Sequence, residues 1–108
     1  NKRIKLWGYK KDCAGFVSFL CGIYPGLSTQ TLYDIGRKIP MSRCHRGCIL
    51  VSPNKHAVFV LKKIKTHAKI VELANHKNIR GLHIRLVKLP YPDFEEYGKK
   101  LKWHCIKI

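Results

Sequence analysis

From Cys48 onward the chain carries four short runs, "CILVS" (48–52), "HAVFVLKK" (56–63), "AKIVELA" (68–74) and "LHIRLVKL" (82–89), each apolar and rich in β-branched residues. Turn-forming stretches, "SPNK" and "NHKNIRG", separate them. Connections this short leave no room for the crossover that parallel strands require, so consecutive runs are expected to pair antiparallel. "LKWHCIKI" (101–108) also alternates and is expected to add a terminal strand. The N-terminal third has a different texture. Ala14, Val17, Leu20 and Cys21 recur at helical spacing behind Asp12, whose carboxylate suits a helix N-cap, and Gly22 supplies a stop. A second, shorter helix is expected to start at Ser28 in "STQTLYDIG" and end at Gly36. The expected class is therefore α+β, with N-terminal helices packed on an antiparallel sheet of four to five strands.

A chain of 108 residues, 45% of them hydrophobic, can build one compact core, so a single domain spanning 1–108 is expected. It begins with Asn1 rather than Met, as expected of a piece excised from a longer polypeptide. The balance of 22 Lys+Arg against 6 Asp+Glu gives a net charge of +16. Such a charge says little about fold but favours an anionic partner: nucleic acid, a bacterial cell wall, an intracellular anionic assembly, or an acidic immunity or inhibitor protein. The basic residues are spread along the chain, which points to a folded basic surface rather than a basic tail. No apolar run approaches the roughly 18 residues that a membrane-spanning helix needs.

Five cysteines leave at least one thiol unpaired if every disulfide is internal. Cys13 is the one with chemistry around it. A nucleophilic cysteine is served by a helix N-terminus, whose free N–H groups stabilise an anion, and by an imidazole that takes and returns the proton. Cys13 follows the expected cap Asp12 and so has the first device. Among the six histidines, His56 is best placed for the second, because it follows the turn "SPNK" and opens an apolar strand. A third group is needed to orient the ring, and His76 or Asn75, just beyond the next strand, would sit beside it. His45, His67 and His104 read as solvated or strand-face residues, and Cys21 as a core thiol. The C-x₃-C spacing in "CHRGC" (44–48) is loose, with no second tight pair, so no metal or other cofactor is assigned.

These residues resemble a known family. "LWGYKKDCAGFVSFL" is similar to the W-G…D-C-S-G-F/L-V segment of the NlpC-type cell-wall cysteine peptidases. "YPGLSTQTLYDIGRKIP", "RGCILVSPNKHAVFVLKK" and "KIVELANHKNIRGLHI" resemble the segments that follow it, in register, over about residues 6 to 89. There are departures: Ala14 stands for serine, Lys5 for a tyrosine that nearby Tyr9 could replace, and "RGCI" for P-G-D-L. The resemblance implies a compact papain-like fold and a cysteine hydrolase that cuts an amide bond in peptidoglycan stem peptides. It implies Cys13 as nucleophile, His56 as general base and acid, and His76 as the orienting residue. Trp7, Tyr9 and Asp12 would border the substrate. Small, very basic papain-like domains also resemble toxin modules of bacterial competition systems, with an intracellular protein or ribonucleoprotein as target. Either way the domain is expected to be secreted or delivered from a bacterial cell, to the envelope or to a target cell's cytoplasm. A non-enzymatic nucleic-acid-binding module, with Cys13 merely structural, is the remaining expectation, and charge alone speaks for it.

Overall fold

The computed structural model describes residues 12–75, 80–89 and 102–108. The first helix, α1 (Cys13–Leu20), begins where the sequence places it: Asp12 is extended, and its carboxylate accepts from the Gly15 N–H at 2.6 Å. The helix ends at Gly22, whose φ of +70° is open to glycine at no steric cost. Ser28 caps α2 (Thr29–Ile35) in the same way, accepting from the Thr31 N–H at 3.1 Å. The buried Ser18 hydroxyl donates to the Ala14 carbonyl and accepts from the Leu27 N–H. One side chain thus pins the connection between the helices to α1.

The strands are β1 (Arg37–Ile39), β2 (Ile49–Ser52), β3 (His56–Ile64), β4 (His67–Asn75), β5 (Arg80–Lys88) and β6 (His104–Lys107). They form one six-stranded sheet in the order β1-β6-β2-β3-β4-β5, antiparallel throughout. The expected meander is present as β2 to β5. Six strands replace the expected four to five because "RKI" (37–39), too short to show a period, pairs with the C-terminal strand. That strand does not extend the meander at its end; it slots between β1 and β2, pairing Ile49 with Ile106 and Ile39 with Cys105.

Alternation along the strands makes two apolar layers. On one side Ala14 and Val17 of α1 and Leu32 of α2 pack on Ile49, Val51, Ala57 and Ile106, while Phe16 packs with Val71 and Leu73. On the other, Leu50, Val58, Val60, Ala68, Ile70 and Val87 are covered by Cys44 and Cys48 of the β1–β2 connection. Trp103 and Cys105, from the C-terminal strand, complete that second layer. No described helix is long and apolar enough to cross a membrane.

Candidate active site around His56

His56 is the first residue of β3 and pairs with Ser52 across a short turn in which Asn54 takes φ +63°. Its ring is 2% exposed. The β3–β4 register, with Phe59 opposite Val71, makes Glu72 a diagonal neighbour of His56 on the same face of the sheet. His56 Nε2 and Glu72 Oε2 lie 2.6 Å apart, and Glu72 is 1% exposed. On the next strand Glu72 is paired with His83, and Arg85, one step along that face, brings its Nε to 3.0 Å from Glu72 Oε1. This is an ion-pair contact rather than an aligned hydrogen bond. The buried carboxylate is thereby flanked by a potential imidazolium on one oxygen and a guanidinium on the other, as burial of a charge requires.

The Cys13 side chain is near enough to the same imidazole to help raise its pKa. Burial pushes the His56 pKa down, but hydrogen bonding to Glu72, which accepts from the ring, and the influence of Cys13 outweigh it and raise the pKa to about 9. Trp103, itself buried, stands edge-on to the ring at 6.1 Å between centroids and 80° between planes. Cys13 is only partly buried, so the thiol can be reached from solvent while the ring behind it cannot.

Of the residues expected from sequence, Cys13 opens α1 and His56 opens β3, and the thiol is among the groups that influence the ring. The Asp12 carboxylate is engaged with its own helix. Trp7, Tyr9 and His76 lie outside the described residues, and Asn75 is the last residue of β4. The partner observed on Nε2 is Glu72, which the sequence reading passed over. Its signal was present: Glu72 is the only acid between Asp34 and Asp93, set in the apolar strand "KIVELA". A lone carboxylate in such a strand needs a cation beside it. Of the other histidines, His45 touches Cys48 and Lys107, His67 touches Thr66, and His104 stacks against Tyr33 at 4.8 Å. Among the described residues no three His, Cys, Asp or Glu side chains are arranged to hold a metal ion.

No protein-family model, curated protein or solved structure matches the chain.

Proposed function

We propose that this domain is a cysteine hydrolase of compact papain-like architecture that cleaves an amide bond through a thioester acyl-enzyme. The observation that carries the reading is a buried imidazole, His56, held between a partly exposed thiol at a helix start and a buried carboxylate.

In this reading His56 takes the Cys13 proton and the sulfur attacks the substrate carbonyl. The Cys13 backbone N–H, at the first position of α1, has no acceptor within its helix and can face the developing oxyanion. The imidazolium then delivers its proton to the leaving amine. Acylation of Cys13 removes the thiolate charge that helps keep His56 protonated, and burial then pulls the ring's pKa down. The same imidazole thus becomes a base for the water that resolves the thioester. Glu72 holds the ring and stabilises its charged form, and Arg85 holds Glu72.

For substrate we propose the peptide stem of peptidoglycan, on the strength of the D-C-x-G-F-V segment and its in-register continuation. The net charge of +16 suits an anionic wall, and the domain would then act in the cell envelope. The same charge favours a second reading, a toxin domain acting on an intracellular protein or ribonucleoprotein and held in check by an acidic protein. The deciding experiment is viable counts of bacteria expressing the domain with and without an export signal, each beside Cys13→Ala, with muropeptide release assayed in parallel. Killing on export alone, with muropeptides released and both lost in the variant, is expected. Killing from the cytosol that is lost in the variant moves the target inside the cell. Effects that survive Cys13→Ala overturn the hydrolase and leave the nucleic-acid-binding module.

A further inference from the structure

Four of the five cysteines play no part in the site just described, and three of them converge. Cys44 and Cys48 lie on the connection between β1 and β2, and Cys105 lies in the C-terminal strand. All three are buried in one apolar layer. The β-pairing explains the convergence. Cys105 sits opposite Ile39 on one side and Leu50 on the other, in the middle of the sheet. The turn Met41–Arg43, closed by a Cys44 N–H to Met41 carbonyl bond, then carries Cys44 back over that point. Cys48 follows through its own N–H bond to the His45 carbonyl.

Isolated buried thiols behave as small hydrophobes. Here all three are packed into one buried cluster. The two candidate partners of Cys105 differ. Cys48 Sγ faces the His45 ring, 3.6 Å from Nδ1 and 3.7 Å from Nε2. Cys44 has Lys63 nearby, and the hydrogen bond from Cys105, opposed by burial and aided by that lysine, lowers its pKa. Cys105 is driven the other way, upward, chiefly by its bond to Cys44 and by burial. With the Cys48 sulfur held toward the His45 ring, Cys44 is the cysteine of the connection left to pair with Cys105.

We propose that Cys44 and Cys105 are a disulfide-forming site that staples the C-terminal strand to the β1–β2 connection under oxidising conditions, with Cys48 remaining a thiol. The oxidant is a small-molecule disulfide. Cys44 thiolate attacks one of its sulfurs and releases one thiol, giving a mixed disulfide. Cys105 then attacks the Cys44 sulfur of that mixed disulfide and releases the second thiol. Two protein thiols become one disulfide, and the oxidant becomes two thiols. Access to Cys44 needs only local opening of the Met41–Arg43 turn, where Ser42 and Arg43 are exposed. The bond closes a long loop between residues 44 and 105, the case in which a cross-link restricts the unfolded chain most. This inference does not depend on the hydrolase reading, because its readouts are covalent mass and stability.

The test is to hold the folded protein in oxidised glutathione, alkylate the remaining thiols after unfolding, and map the unreduced peptides by mass spectrometry. The expected result is loss of two hydrogens, one link joining the Cys44 and Cys105 peptides, and an alkylated Cys48. The melting temperature should rise by roughly 10 °C and fall back on reduction. Cys44→Ser should lose both the link and the rise, while Cys48→Ser should keep both. All three thiols alkylated in the oxidised wild type, or a link that uses Cys48, would overturn the assignment. The mapping of the wild type decides this even where a variant folds poorly.

Discussion

His56 Nε2 and Glu72 Oε2 meet at 2.6 Å, and both side chains are closed off from solvent. A carboxylate in that position fixes the ring's orientation and favours its charged form. Glu72→Gln keeps the volume and removes the charge. We expect kcat for amide cleavage to fall by roughly 10²-fold or more. The His56 titration, followed by imidazole NMR, should move down from about 9, because burial is then opposed by Cys13 alone. An unchanged titration in a folded variant would separate Glu72 from the site.

The same pair makes folding stability depend on pH. The unfolded histidine titrates near its ordinary value of 6.5, and the folded one near 9. The stabilisation is thus complete below pH 6.5 and lost as pH rises toward 9, with a span on the order of 3 kcal/mol. Urea unfolding midpoints measured across that window should decline with pH. In Glu72→Gln the decline should be shallower.

Gly36, just after α2, has no space for a side chain. A Cβ there would stand 2.6 Å from Ile106 Cδ1 and 2.9 Å from the Leu32 carbonyl oxygen. Gly36→Ala should cost about 1–3 kcal/mol, read as a lower denaturation midpoint. Combining it with Ile106→Val, which trims the Cδ1 contact, should cost less than the sum of the two single changes.

Asp12 holds the first turn of the helix that presents Cys13. Replacing it with alanine removes the acceptor for the Gly15 N–H and should cost about 1 kcal/mol. Asp12→Asn should recover most of that, since an amide oxygen caps nearly as well. Thermal melts check the stability. Matched activity assays should show a larger loss in the alanine variant, where the helix start frays around the nucleophile.

Both helices are legible in the sequence because their ends are written in side-chain chemistry: Asp12 and Ser28 as caps, Gly22 and Gly36 as stops. The strands from Cys48 to Leu89 are legible because their period and turns are local. What escapes is non-local. "RKI" has no pattern of its own and becomes β1 because the C-terminal strand arrives beside it. Glu72 looks like a surface interruption of an apolar strand until pairing sets it diagonal to His56 on one side and Arg85 on the other. Cys105 is far along the chain from Cys44 and Cys48, and only the sheet order brings it to them.

That sheet order also bears on how the domain is made. Among the described residues β1 pairs with β6 alone, and β6 is what joins it to β2. During vectorial synthesis the helices and the hairpins from β2 to β5 can form as they emerge. β1, however, stays without a partner until residues 104–107 have left the ribosome. The residue just before the strand that completes the sheet, Trp103, stands edge-on to His56. A nascent chain therefore holds Cys13, His56 and Glu72 before it holds the aromatic wall beside the ring. Closing the sheet between β1 and β2 and setting Trp103 beside His56 are therefore one event.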